Sequence, residues 1–159
     1  MIKIKIIAMG RLKEKYLRDA ADEYIKRLKA FCDLEIIELN PIKLSENPSG
    51  KEIQSALKEE ASMIIKKIPQ SSKIIALCVE GKSTDSEKFA ENINSASFDG
   101  APLCFVIGSS YGLSDEIKRV AHSRLSLSCM TFPHQLFRIM LLEQLYRAFK
   151  INQGSTYHK

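Results

Sequence analysis

The chain has 159 residues with 24 basic and 19 acidic side chains, a net charge of +5, and a composition that is 45% hydrophobic and 27% charged. This length predicts one domain, residues 1–159, with a core of its own, and the low glycine and proline content excludes a collagen-like or largely disordered chain. No apolar run approaches the ~20 residues of a membrane span, and lysines interrupt the apolar start of the chain. We therefore expect no transmembrane segment, no signal peptide and a cytoplasmic location.

The first part of the chain predicts two strands and two helices in alternation. Apolar and charged residues alternate over 2–9 and predict a strand, and apolar positions at helical spacing predict a helix over 13–28. Residues 34–39 predict a second strand, which a proline-containing loop follows. Ser49 and Glu52 then have the spacing of a capping box and predict the start of the second helix.

Two longer apolar runs follow, at 73–80 and 101–108. Runs of this kind are suited to strands that are buried on both faces of a parallel sheet. Between them, Thr84 and Glu87 have capping-box spacing and predict the start of a third helix. Strands that alternate with helices through short connections predict an α/β fold, with a largely parallel sheet and helices on both faces.

The last part of the chain predicts a short helix, a short strand and a long terminal helix. Ser114 predicts the N-cap of a short helix. Residues 124–131 predict a short strand and the loop that follows it. Pro133 predicts the first turn of the last helix. That helix is apolar on nearly all sides over 136–149, which predicts burial on all sides. We favour a homodimer interface over a helix sandwiched inside one protomer. The polar residues 151–159 lie beyond any predicted core element, and this pattern alone predicts a disordered tail.

Charge is distributed unevenly along the chain. Residues 1–30 carry a net +5, residues 31–116 a net −6, and residues 117–159 a net +6. Cationic ends favour an anionic partner such as nucleic acid, and lysines that only solubilise helix faces are the alternative. The four cysteines and three histidines have no metal-ligand spacing, so we expect no metal site and a reduced compartment.

Three loops follow predicted strands and could bind a ligand, at 77–83, 108–112 and 127–132. Ligands of open α/β sheets bind beyond the carboxyl ends of strands, and ordinary strand-exit turns are the alternative. The first loop lacks the upstream glycine of a nucleotide phosphate-binding loop, because Ala76 stands there. The second loop lacks the glycine pattern of a dinucleotide-binding site.

These loops belong to a longer series of motifs that occur in a fixed order. The series consists of residues 9–13, 105–113, 125–134, Arg138, 143–150 and 157–159. Together they resemble the ribosomal large subunit methyltransferase H family, small bacterial RNA methyltransferases of the SPOUT class, over the whole chain. The resemblance implies an α/β-knot (SPOUT) fold with a deep trefoil knot in the C-terminal part, a homodimer, and S-adenosylmethionine held by the three loops.

The resemblance also implies a substrate. The family methylates N3 of a pseudouridine at position 1915 of 23S rRNA and acts on assembled ribosomes. The alternatives are a SPOUT-class methyltransferase that acts on another rRNA or tRNA base, and a non-catalytic ribosome-binding dimer.

The resemblance assigns candidate site residues by position. The implied cofactor-binding residues are Leu77, Gly108, Leu127, Ser128, Cys129, Met130, Thr131 and Phe132. The candidates for catalysis are His134, Arg138, Tyr157 and His158, and the candidates for RNA binding are Arg11, Lys13, Arg147 and Lys159. The family pattern has glycine where this chain has Ser109. If the backbone there requires a positive φ, serine costs on the order of 1 kcal/mol.

Overall fold

The computed structural model describes residues 1–159 as a five-stranded sheet with helices on both faces. In chain order the elements are β1 (Ile2–Met9), α1 (Lys15–Leu28), β2 (Cys32–Leu39), α2 (Gly50–Ile65), β3 (Lys73–Ser83), α3 (Ser86–Asp99), β4 (Leu103–Ile107), α4 (Asp115–Val120), β5 (Ser123–Ser126) and α5 (His134–Asn152). The strand order is β2-β1-β4-β3-β5 and every ladder is parallel. The predicted α/β fold with a parallel sheet is confirmed. None of the helices combines the length and the apolar composition needed to span a bilayer.

The sheet has a core on each face because successive strand residues point to opposite sides. Ile4 and Ile6 of β1 belong to the larger core, which α1, α3 and α5 complete. Ile7 and Met9 of the same strand belong to the smaller core, to which α2 and α4 contribute. All five residues of β4 are buried, as the uninterrupted apolar run predicted.

The helix caps confirm one of the two predicted capping boxes. The Glu52 backbone N–H donates to Ser49 Oγ at 3.2 Å, and the Ser49 N–H donates to the Glu52 carboxylate. The predicted Thr84–Glu87 box is wrong, because β3 extends to Ser83 and the helix begins one residue later than expected. Asp85 is the cap instead, and its carboxylate accepts the Lys88 N–H at 2.7 Å.

The terminal helix α5 packs between α1 and α3 on one face of the sheet. Its buried stripe includes Leu141, Leu142, Leu145 and Phe149, which lie in the larger core. Neighbouring elements within the same chain cover this stripe, so part of the predicted burial needs no partner. The remaining side of the helix, with residues such as Ile139, is only half-buried. Burial on all sides through a second protomer therefore stays a prediction.

The C-terminal tail packs against α5 and α3, in contrast to the disordered tail that its polar pattern alone predicts. The Tyr157 ring meets the Tyr146 ring edge-on at a centroid distance of 5.0 Å, and its hydroxyl donates to Glu143 at 3.2 Å. The Arg147 guanidinium lies 4.8 Å from the Tyr157 ring centroid. His158 bridges Glu87 of α3 and Arg147 of α5 at 2.8 and 3.1 Å. The tail is therefore held by aromatic and ionic contacts. Such contacts leave no apolar periodicity in the sequence, which is the pattern that identifies core elements.

Candidate functional site

Residues from all three candidate segments line one cavity of about 440 Å³, beside the second half of β3 and the carboxyl ends of β4 and β5. The prediction of a loop at 77–83 is wrong, because these residues belong to β3, whose register with β5 shifts between Leu77 and Lys82. These strands are neighbours in the order β4-β3-β5, so the three segments lie side by side. Six of the eight predicted cofactor-binding residues line the cavity: Leu77, Gly108, Leu127, Ser128, Thr131 and Phe132. The other two, Cys129 and Met130, do not line it and are exposed to solvent, Met130 by 72%. The structure thus brings together all three segments but not every predicted residue.

Two glycines allow the chain to pack closely around this cavity. A Cβ on Gly81 would lie 2.7 Å from the backbone of Leu125 in β5. A Cβ on Gly108 would lie within 3.0 Å of the Gly112 carbonyl, so this position is closed to any side chain. Neither glycine has a positive φ, and both are required by close approach rather than by backbone conformation.

Ser109 causes no backbone strain in the loop between Gly108 and Gly112. Its φ is not positive, so the cost considered for a serine at this position does not arise. Its hydroxyl donates to Glu60 Oε1 at 2.9 Å, and the Gly112 N–H closes the loop by donating to the Ser109 carbonyl at 2.8 Å. The serine therefore links the loop to α2.

The polar lining of the cavity includes an ion pair and an imidazole. Glu80 at the end of β3 pairs with Lys118 of α4, and this hydrogen bond holds the pKa of Glu80 below its usual range. Sequence reasoning missed both residues, although Glu80 ends the apolar run at 73–80. His134 lines the cavity at the start of α5. Burial lowers the pKa of His134, and the nearby cations Arg138 and Lys13 lower it further.

Arg138 lies away from the cavity and is buried, with 4% of its surface exposed. Its guanidinium pairs with Glu38 at the end of β2 and donates to the Gly10 carbonyl at 2.7 Å. Its Nε has no partner within the chain. These contacts tie the start of α5 to the ends of β1 and β2.

The other candidate catalytic residues lie at a second cavity, of about 600 Å³. His158 lines it together with Glu87 and Glu143, and Tyr157 lies beside it through its hydrogen bond to Glu143. Burial raises the pKa of Tyr157, and the Glu143 carboxylate raises it further. The two cavities share Ser126 and Leu127 as a wall. Within one chain, His134 is therefore separated from the tail residues.

The candidate RNA-binding residues occupy different environments. Arg11, Lys13 and Lys159 are exposed. The Lys13 backbone N–H donates to Gln135 Oε1 at 3.0 Å, which places it beside the start of α5 and the His134 side of the first cavity. Arg147 is only 25% exposed and pairs with Glu143, whose hydrogen bond raises the pKa of the guanidinium. No group of three or more His, Cys, Asp or Glu side chains is placed to hold a metal ion.

Comparisons with known proteins agree with this architecture. The family model described as "Predicted SPOUT methyltransferase" matches residues 2–158. The chain is 48% identical to the ribosomal RNA large subunit methyltransferase H of Clostridioides difficile (strain 630), over 98% of this chain and 99% of that protein. It is 46% identical to the protein of the same name from Streptococcus thermophilus (strain ATCC BAA-491 / LMD-9), over 99% of this chain and 100% of that protein.

A solved structure shares the fold at low sequence identity. A probable methylase family protein from Haemophilus influenzae Rd KW20 superposes with a TM-score of 0.56 at 15% identity, covering all of this chain and 72% of the other. The family model and the curated relatives match this chain over nearly its full length, and its parallel α/β sheet agrees with them. The chain belongs to the SPOUT methyltransferases.

Proposed function

We propose that this protein transfers a methyl group from S-adenosylmethionine to N3 of a pseudouridine in large-subunit rRNA within the assembled ribosome. The observation that carries the proposal is the convergence of three chain segments on one cavity in a chain that matches a methyltransferase family over its full length. The named relatives act on large-subunit ribosomal RNA, which supports an rRNA substrate. The names of these relatives do not specify the target base, so the pseudouridine target is part of the proposal. A bacterial ribosome as substrate would place the enzyme in the cytoplasm.

The first cavity fits a nucleoside-containing cofactor. Its volume of about 440 Å³ falls within the ~300–1,000 Å³ of typical small-molecule sites. Leu77, Leu127 and Phe132 supply apolar surface suited to a flat heterocycle. Gly108 has no side chain, so its backbone forms part of the cavity wall. Glu80 and Lys118 supply one charge of each sign, as a zwitterionic amino-acid group would require. These residues would hold the cofactor.

S-Adenosylmethionine supplies an electrophilic methyl group on a sulfonium when it is bound. The imide nitrogen N3 of the target base becomes a good nucleophile only when its proton leaves, so a proton acceptor at the cavity assists the transfer. His134 is suited to that role because burial and two nearby cations lower its pKa, which favours the neutral imidazole that can accept a proton. The loops of the cavity contribute by positioning the two reacting groups in line, which lowers the barrier without further chemistry.

We also propose that the enzyme works as a homodimer with a site shared between protomers. His134 lies at one cavity of the chain, whereas Tyr157 and His158 lie at or beside the other. The half-buried side of α5 offers an apolar surface next to the second cavity, including Ile139 and Met140. A two-fold contact there would bring the tail of one protomer toward the cofactor cavity of its partner. Light scattering should then give twice the 18.0 kDa mass of the chain.

Exposed cations around the sites support an RNA substrate. Arg11 and Lys13 lie on the side of the first cavity where α5 begins, and Lys159 ends the tail beside the second. Cations in these places would contact phosphates and orient the RNA without reading its sequence. Tyr157 and His158 add flat surfaces on which an unstacked base could stack.

The decisive experiment is a methylation assay on ribosomes from a strain that lacks this gene. We expect incorporation of labelled methyl from S-adenosylmethionine into the large-subunit rRNA at one pseudouridine, located by a modification map. Methylation of another base would retain the enzyme class and refute the target. Binding of the ribosome without cofactor binding, measured by calorimetry, would instead favour a non-catalytic dimer.

A further inference from the structure

Glu60 is a buried carboxylate that has no cation beside it. Only 4% of its surface is exposed, and none of the ion pairs of the chain includes it. A buried carboxylate without a cation is costly unless its oxygens accept hydrogen bonds. Glu60 Oε2 accepts the Ile42 backbone N–H at 3.1 Å, and Oε1 accepts the Ser109 hydroxyl at 2.9 Å. The residue therefore joins α2 to two loops that are distant in sequence.

The loop held by this contact is a thin wall. Ser109, Ser110 and Tyr111 line the 440 Å³ cavity on one side and a smaller cavity of about 230 Å³ on the other. Glu60 lines only the smaller cavity, so its hydrogen bond to Ser109 reaches the wall from behind. The smaller cavity leaves part of the loop without packing contacts on the side that faces α2. The Ser109–Glu60 hydrogen bond spans this side of the loop.

We propose that Glu60 is a positioning residue for the cofactor cavity, holding the 108–112 loop through Ser109 in the conformation that binds S-adenosylmethionine. The inference rests on the proposed function in taking this cavity as the cofactor site. Glu60 does not touch the cavity itself and acts only through the serine. The Gly112 N–H bond to the Ser109 carbonyl lies within the loop, whereas the Ser109–Glu60 hydrogen bond joins the loop to α2.

The test compares variants that keep or remove this hydrogen bond in the full-length protein. Ser109→Ala removes the donor, and Glu60→Leu removes the acceptor for both Ser109 and Ile42. Glu60→Gln is the conservative variant, because its amide oxygen can accept the Ile42 N–H while its NH₂ donates to the serine hydroxyl. Ser62→Ala, on the exposed side of the same helix, is the matched control.

Two measurements separate positioning from a purely structural role. We expect Ser109→Ala to raise the Kd for S-adenosylmethionine about tenfold by calorimetry, which corresponds to about 1.4 kcal/mol. Amide hydrogen exchange over residues 108–113 of the ligand-free protein should accelerate by a similar factor. Glu60→Gln and Ser62→Ala should stay within about twofold of the wild-type Kd, whereas Glu60→Leu should match or exceed the effect of Ser109→Ala.

The outcomes distinguish the inference from the function on which it rests. If the wild-type protein does not bind S-adenosylmethionine, the proposed function is refuted and the inference falls with it. If the wild-type protein binds and folded Ser109→Ala binds equally well, the inference alone is overturned. A lower melting temperature with an unchanged Kd would also overturn it, because the contact would then be structural only. Should Glu60→Leu fail to fold, Ser109→Ala still decides the question.

Discussion

Deleting residues 156–159 should destabilise the protein, because the tail is packed rather than free. The deletion removes the edge-on contact between Tyr157 and Tyr146, the Arg147 guanidinium over the Tyr157 ring, and the hydrogen bond to Glu143. Aromatic pairs contribute roughly 0.5–1.5 kcal/mol, exposed cation–π contacts about 0.5–1 kcal/mol and a net hydrogen bond about 0.5–1.5 kcal/mol. The cost of ordering the tail offsets part of this gain. We expect a net loss of about 1–2 kcal/mol.

The loss can be measured by calorimetric melting at fixed protein concentration. In a domain of this size, 1 kcal/mol shifts the melting temperature by about 2–4 °C, so the truncated protein should melt roughly 2–8 °C lower. Deleting Lys159 alone is the matched control, since this exposed residue makes none of these contacts. Methylation of ribosomes should fall at least ~10-fold in the truncated protein at a temperature where it remains folded. An unchanged melting temperature would refute the packing argument, and full activity would remove Tyr157 and His158 from the catalytic site.

Three further changes have expected outcomes. Asp85→Ala should cost about 1 kcal/mol of unfolding free energy in denaturant titration, whereas Thr84→Ala should change it by less than about 0.5 kcal/mol, since only Asp85 caps α3. The pKa of His134 is lower in the folded protein than in the unfolded chain, so the unfolded chain binds a proton on this imidazole more readily. The neutral imidazole therefore makes its full contribution to stability above pH ~6.5, and this contribution is lost as the pH falls toward the folded pKa. His134→Gln should flatten that loss below pH ~6.5, and an equally steep profile in the variant would contradict the assignment. Arg138→Met should lose roughly 1–3 kcal/mol by leaving the Gly10 carbonyl without its donor, and a variant as stable as wild type would show that this contact is not needed.

The strands and the loops after β4 and β5 could be predicted because local patterns determine them. Continuous apolar runs produced β3 and β4, and ligand loops follow the carboxyl ends of parallel strands as a rule of the architecture. Within the third loop, Cys129 and Met130 do not line the cavity, although both were predicted to bind the cofactor. There the Met130 N–H donates to Ser128 Oγ at 3.0 Å, which turns the chain so that the two side chains lie outside. Turns formed by a side-chain hydrogen bond within a loop are not visible in apolar periodicity.

The contacts that escaped prediction join residues far apart in the sequence. Ser109 and Glu60 are 49 residues apart, and Arg138 and Glu38 are 100 apart. Neither pair has a local pattern, and each depends on the crossover connections that bring its elements together. Arg138 lies among apolar neighbours on α5, so periodicity places it near the core but cannot tell a buried ion pair from a group that reaches RNA. The role of each such residue follows from its partner, which the sequence alone does not identify.

The separation of His134 from the tail residues leads to a last prediction, on how a dimer would build its sites. If each site combines His134 of one protomer with the tail of its partner, a mixed dimer of His134→Ala and the 156–159 deletion has one intact site and one doubly defective site. Random pairing of the two variants by co-expression makes about half of the dimers mixed, so methylation should rise to about a quarter of the wild-type level, above that of either variant alone. Sites built within a single protomer would leave every site defective. Differently tagged copies allow the mixed dimer to be purified, and its activity on ribosomes, if no higher than that of either parent, would refute a shared site.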